Sequence, residues 1–384
     1  MSPLRAPVRH IHWFTYQHRD LPSVRYRAVH PLRHLWDWHG VGSTLVVPGR
    51  TPLCVAAFLR AWLRALLRPG EGSVIVVQRV HSFGPYAFAL WLLTFLRGDR
   101  CIYDIDDAEY IERPSASIKA LMRSCALVTT GSDCLMRYAR RFNPNTVLLT
   151  SPVPDHGCSK AARDRLPRRN DVFTIGWVGC FRGTHEANLE RLVYPALHDL
   201  GFRVRLVVLG ARDDQAAQRL RSRFRDAPWL TIEVDRDLPW CDEAAVHARI
   251  ANFDVGLAPL LDTEINRCKS AFKLKQYMSC GVPVLASPIG ENIRFLRHGW
   301  NGLLCTDPAA FRAGIYRMAG MADADYARMS RAASGSVHEF DLAHFADAFL
   351  KACRRLPAFS REVRAAARPI TRDRSAKRDG DPVS

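Results

Sequence analysis

Zinc-site spacings and paired cysteines are missing from this chain of 384 residues. Its 11 cysteines are an odd number scattered without a Cys-x-x-Cys pair, which excludes zinc ribbons and a disulfide framework. Cys54, Cys101, Cys125, Cys180 and Cys280 sit in apolar surroundings and read as reduced core thiols, as expected in the cytosol. Met1 to Arg9 run straight into His10-Ile11-His12-Trp13-Phe14, too short and broken for a signal peptide. The longest uncharged stretch, Ser82 to Leu96, falls short of the roughly 20 residues of a spanning helix. It suits a helix packed on a sheet or dipping into a bilayer interface. No solenoid-length repeat is present, and no RNP, helix-turn-helix or finger signature supports nucleic-acid binding. Acidic residues are outnumbered, 38 against 55 Lys plus Arg, for a net charge of +17. That balance favours anionic partners such as nucleotides, nucleic acid or an anionic lipid surface, without choosing among them.

Apolar content is ample, 48% with nine Trp, and the length makes two domains the natural expectation. Short apolar runs at 10–14, 43–47, 73–78, 101–104, 127–130 and 147–150 read as strands. Helical periodicity fills 25–38, 52–67, 86–96, 115–124 and 134–141. A second alternation places strands at 173–178, 203–209, 230–234, 255–258 and 283–286, with helices at 187–199, 213–224, 242–250 and 269–280. This pattern predicts an α/β protein of two doubly wound Rossmann-like units. The expected organisation is a first domain 1–155, a linker 156–171, a second domain 172–340, an amphipathic helix 341–357, and a basic tail 358–384 without periodicity.

The most informative run is Lys269-Ser270-Ala271-Phe272-Lys273-Leu274-Lys275-Gln276-Tyr277-Met278-Ser279-Cys280-Gly281-Val282-Pro283-Val284-Leu285-Ala286-Ser287. It reads as a helix, a glycine stop and a buried strand. Lys269 and Lys273 stand four apart, predicting one helix face near the N-terminus. The helix dipole prefers carboxylates there, so two cations make sense if a diphosphate occupies the site. Lys275 reads as solvated. Gly176-Trp177-Val178-Gly179-Cys180-Phe181-Arg182-Gly183-Thr184 forms a second strand-to-helix loop. There Gly179 and Gly183 permit close approach of a ligand, and Arg182 has the fork geometry for phosphate.

With Gly281-Val282-Pro283-Val284-Leu285-Ala286-Ser287, Phe253-Asp254-Val255-Gly256-Leu257-Ala258-Pro259-Leu260 and the His298-Gly299-Trp300-Asn301-Gly302-Leu303-Leu304 hairpin, the chain resembles retaining glycosyltransferases of family 4. The resemblance is strong from about 172 to 310 and weak before 100. It implies two Rossmann domains facing across a cleft, the GT-B fold. It also implies transfer of a sugar from a nucleotide diphosphate sugar to a polysaccharide or lipid-linked acceptor, with retention, in cell-surface glycan biosynthesis. A basic residue of the 176–184 loop would meet the donor diphosphate. The family's paired glutamates, eight apart, are replaced by Cys268 and Gln276. Gln276 retains hydrogen bonds for ribose, and Glu291 and Asn292 would face sugar or phosphates. No metal and no cofactor are implied, and the expected location is cytoplasmic or peripheral on the inner membrane face. A non-catalytic nucleotide-sugar-binding or carbohydrate-assembly protein on the same fold remains the alternative.

Other candidates carry two readings each. Asp106 and Asp107, in Asp104-Ile105-Asp106-Asp107 after a strand, suit acceptor binding or base catalysis, or cap a helix. Asp-x-Asp is also a metal motif of another transferase fold. Arg25, Tyr26 and Arg27 could hold an anionic acceptor or donor phosphate, or open an exposed helix. His81 could reach the cleft or be structural. Arg60, Arg64 and Arg68 form one helix stripe beside Leu59, Leu63, Leu66, Leu67 and Trp62, as a membrane-surface helix or a packed helix with solvated arginines.

Overall fold

The computed structural model describes residues 8–67, 70–81, 84–153, 172–181, 183–210, 214–235 and 237–359. Arg182, Arg68, the expected linker and the chain from 360 onward lie outside them.

Runs of β-branched residues build two six-stranded sheets. The first comprises β1 (His10–Thr15), β2 (Gly42–Val46), β3 (Ser73–Gln78), β4 (Cys101–Ile105), β5 (Leu127–Thr130) and β6 (Thr146–Leu148), in the order β2-β1-β3-β4-β5-β6. The second comprises β7 (Phe173–Val178), β8 (Val204–Leu209), β9 (Leu230–Asp235), β10 (Val255–Ala258), β11 (Val284–Ala286) and β12 (Gly302–Leu304), in the order β12-β11-β10-β7-β8-β9. All pairings are parallel. Helices cover both faces, so strands such as β3 and β4 are buried throughout and read as continuous apolar runs. Each sheet reverses its strand order once, between β1 and β3 in the first and between β7 and β10 in the second. In open parallel sheets the crevice beyond the strand carboxyl ends at such a reversal is where ligands bind.

Four apolar clusters cover the two faces of the two sheets. The helix Leu342–Cys353 returns to the first sheet. There Phe345, Phe349 and Leu350 join Trp13, Leu32 and Leu35. Leu356 and Phe359 continue this cluster, so packed chain extends two residues past the expected boundary at 357.

Several local expectations need correction. The Gly299–Leu304 segment is no hairpin: β12 pairs parallel with β11. The expected helix over 25–38 is divided, with Arg25–Val29 wound as a wider π turn before the helix His30–His39. The expected helix over 269–280 starts only at Phe272, because Ala271 takes a left-handed conformation at φ 52°. Lys269 therefore lies in the preceding turn, and the two lysines do not share a helix face. Cys180 is exposed and Cys54 half-buried, whereas Cys101, Cys125 and Cys280 are core thiols.

Candidate functional site

A cavity of about 520 Å³ opens between the sheets at both strand-order reversals. Gln17 and Arg79, just past β1 and β3, line it from one side, and Gly179 and Pro259, just past β7 and β10, from the other. Ala271 to Leu274, the first turn of the helix Phe272–Ser279, also face it. Unpaired N–H groups and the positive end of the helix dipole therefore meet the cavity wall.

Lys273 stands in that turn. Its ammonium lies 4.9 Å from the Trp177 ring centre and 3.3 Å from His185 Nδ1. Burial, reinforced by the Lys269 charge, pushes its pKa down to about 7. The His185 imidazole, facing the Lys273 charge and itself buried, is pushed down to about 3. It is thus a neutral neighbour able to accept from the ammonium. Gly179 has φ 149°, and a Cβ there would lie 2.5 Å from Lys273 Cε. Only glycine leaves this lysine its place. Gly183 begins the helix Thr184–Leu192 with φ 58° and does not line the cavity.

Lys269 donates to both Asp107 oxygens, at 3.0 and 3.2 Å, across the two sheets' halves. Burial raises the Asp107 pKa, but the Lys269 and Arg79 charges outweigh it and hold the carboxyl below its ordinary value. Asp106 behaves oppositely. Burial raises its pKa against the pull of Arg79 and Arg27. Among the described residues no hydrogen bond reaches Asp106 Oδ1, and Arg79 Nε stands 3.5 Å away. Adjacent carboxyls with pKa values pushed apart are the usual arrangement for dividing acid–base work. Both line the cavity.

The π turn sends Arg25 and Tyr26 across the cleft. Arg25 donates to the Trp240 carbonyl and lies 3.5 Å from Glu243, which also meets His30 at 2.7 Å. Tyr26 packs on Phe272 at 4.3 Å between ring centres, and its hydroxyl accepts from Gln276 at 3.5 Å. Arg25, Tyr26 and Gln276 all line the cavity. Arg27 does not. It is fully buried, forked onto Asp104 at 2.5 and 2.9 Å, and bonded to the Leu149 carbonyl at 2.7 Å. An arginine held this way is internal structure, so the expectation that Arg27 meets an acceptor is corrected. The same fork engages Asp104, so Asp104 and Asp106 are not a free Asp-x-Asp pair.

Asn292 lines the cavity and ties the ends of β10 and β11 together, donating to the Ala258 and Ser287 carbonyls. Glu291 is buried outside the lining and accepts from the Asp133 N–H at 2.8 Å across the cleft. His81 is buried beside Tyr16 and likewise not in the lining. Burial and the charges of Arg113 and Arg79 push its pKa down to about 4. Cys268 is buried among Ala108, Leu135 and Tyr110. Lys275 is not solvated: it is fully buried, donating to Thr150 Oγ1 and the Ser151 carbonyl with Phe295 and Phe340 around it.

Sequence reasoning missed Arg79, His185, Trp240 and Glu243. Arg79 alone carried a signal, its place directly after a strand at the edge where ligands gather. Its φ of 54° is uncommon for a residue with a side chain.

The family described as Glycosyl transferases group 1 matches residues 173–320. No curated protein matches the chain. Solved structures share the fold over nearly their whole length. HepE of Anabaena, in complex with UDP, superposes with a TM-score of 0.59 at 12% identity, covering 89% of this chain and 98% of its own. Sucrose-phosphate synthase of Thermosynechococcus elongatus gives 0.63 at 14%, covering 94% and 100%. The UDP-forming α,α-trehalose-phosphate synthase of Burkholderia vietnamiensis gives 0.62 at 15%, covering 92% and 98%. The chain thus has the two-domain GT-B fold, and residues 173–320, in its second half, are similar to the glycosyl transferases group 1 family.

Proposed function

We propose that this protein is a glycosyltransferase of the family 4 type, moving a hexose-type sugar from a nucleoside diphosphate sugar to a glycan or lipid-linked acceptor with retention of configuration. The observation that carries the reading is the convergence of Lys269, Lys273 and a helix N-terminus on a cavity at both strand-order reversals. HepE, of similar fold, has been solved with UDP-glucose, which makes a UDP-sugar the first donor to try.

In this reading Lys273 and Lys269 take the diphosphate. As the anomeric carbon–oxygen bond breaks, its electron pair leaves with the diphosphate, and the two ammonium groups and helix N–H groups stabilise the growing charge. Gln276 meets the ribose. The acceptor hydroxyl oxygen bonds the anomeric carbon and gives up its proton to Asp106, the carboxylate whose pKa lies higher. Asp107 stays ionised and orients Lys269. Polar contacts across the cleft, from Arg25, Glu291 and Lys269, hold it closed against water.

Fixed cations do here what a divalent ion would do, and Asp104 is held by Arg27. Release of UDP from a UDP-sugar with oligosaccharide or lipid-linked acceptors should therefore proceed at an unchanged rate in excess EDTA. Loss of turnover on chelation with recovery on adding manganese would reverse this view of the diphosphate site. UDP-sugar binding without any release of UDP would favour the non-catalytic binding protein, a reading that Cys268 in place of a family glutamate keeps in view.

A further inference from the structure

Two helices of the first half turn apolar side chains to solvent. Pro52–Leu67 buries only Ala61 and Ala65 completely, and Pro85–Arg97 packs beside it, pinned by the Trp62 indole donating to the Ala89 carbonyl at 2.8 Å. Leu53, Leu63, Leu67, Phe88, Phe95 and Leu96 are left between 46% and 83% exposed. Single exposed leucines are ordinary, but two helices packed side by side that each turn several large apolar side chains to solvent mark a contact surface. Aromatic rings run along the second helix, with Phe88 and Phe95 each 5.7 Å from Trp91 between ring centres. Exposed Arg50, Arg60 and Arg64 border the patch, and residues 50–67 and 84–97 contain no Asp or Glu.

We propose that this face docks on an anionic bilayer surface, with the leucine and phenylalanine side chains in the headgroup–acyl boundary and the arginines on lipid phosphates. Charge complementarity selects this occupant. A second copy placed on the same patch by two-fold symmetry would set Arg60 and Arg64 against their own kind, whereas anionic headgroups neutralise them. Apolar side chains backed by arginines on a helix lying flat are what interfacial binding uses. The docking also suits the cavity. Each helix follows a strand of the first sheet and so begins at the carboxyl edge where the cavity opens. Tyr86, in the first turn of the second helix, donates to the Thr15 carbonyl at 2.6 Å, two residues before cavity-lining Gln17. The face thereby deepens the glycosyl-transfer reading by giving a lipid-linked acceptor its place of delivery. Its test needs no turnover.

Sedimentation of the full chain with phosphatidylcholine vesicles containing roughly one-third phosphatidylglycerol is the measurement. Pelleting is expected at low salt, weakened at high salt and on pure phosphatidylcholine. The variant Leu63→Ser/Phe88→Ser/Phe95→Ser and, separately, Arg60→Glu/Arg64→Glu should each lower partitioning at least about tenfold, with melting temperature and UDP binding unchanged. Protein that stays in solution at low salt, or pelleting indifferent to both variants, overturns the proposal. A concentration-dependent dimer in light scattering that Phe95→Ser dissolves assigns the patch to self-association and overturns it too. Pelleting that holds while no nucleotide sugar binds would sink the transfer reading and leave this one standing.

Discussion

Replacing Lys273 by alanine should weaken UDP binding about 10–100-fold and leave uridine binding nearly untouched. The estimate takes hydrogen bonds to charged groups as worth about 1.5–3 kcal/mol. Lys273 stands at the helix N-terminus facing the cavity, held 3.3 Å from a neutral His185 and over the Trp177 ring. In that setting burial and the Lys269 charge outweigh the Trp177 face and the Asp107 charge, and lower its pKa to about 7. A diphosphate supplies the missing counter-charge. Binding should therefore take up a proton above pH 7, and UDP affinity should fall as pH rises beyond that value, in wild type but not in Lys273→Ala. Stability has a matching sign. The unfolded lysine binds its proton up to about pH 10.4, the folded one only to about 7. Between those values the unfolded state holds more protons, so the lysine's penalty on the empty protein is full below pH 7 and lifts as pH rises. The alanine variant should accordingly be no less stable than wild type at pH 6. Titration calorimetry in buffers of different ionisation heat reads both affinity and proton uptake. Equal losses of UDP and uridine binding would show that Lys273 is no phosphate ligand.

Arg27→Met should be the most destabilising change near the site, costing about 3–5 kcal/mol by leaving Asp104 buried without its partner. For a unit of 150–250 residues that is a fall of roughly 6–20 °C in melting temperature. Both partners are essentially fully buried, and Thr129 adds a bond to Asp104 at 2.6 Å. Arg25→Met, two residues earlier, should lower the melting temperature far less, because its partners Trp240 and Glu243 are met across the cleft rather than inside the first half's core. Calorimetric melting of the pair separates an internal arginine from a cleft arginine. A shift for Arg27→Met no larger than for Arg25→Met would contradict the assignment.

These two arginines also show where sequence reading stops. Strand positions were legible because β-branched runs such as 73–78 and 173–178 alternate with helical periodicity, and burial on both faces removes the polar alternation that would blur them. Strand order was not, since pairing joins residues far apart in the chain. Arg27 resembles any helix-start arginine until Asp104, 77 residues on, is brought against it. Lys275 was misread likewise, its Thr150 and Ser151 acceptors lying more than 120 residues earlier. Lys273 and Gly179, which both line the cavity, were legible as candidates because helix-terminus chemistry and glycine conformation are local. The shared lysine face failed at a single residue, left-handed Ala271, which no local propensity announces. Trp240 and Glu243 emerge only when the two halves close on each other, whereas Arg79 was marked by its place directly after a strand.

The claim on which the rest depends is that the cavity binds a nucleoside diphosphate sugar. Thermal unfolding of the full chain across a set of nucleoside diphosphate sugars, their free nucleosides and inorganic phosphate tests it most directly. A ligand at 100 times its dissociation constant adds about 2.7 kcal/mol. The account predicts such a rise with at least one diphosphate sugar, little with its nucleoside, and a much smaller rise in Lys273→Ala. Stabilisation by none of them, or equal stabilisation of wild type and Lys273→Ala, would contradict it.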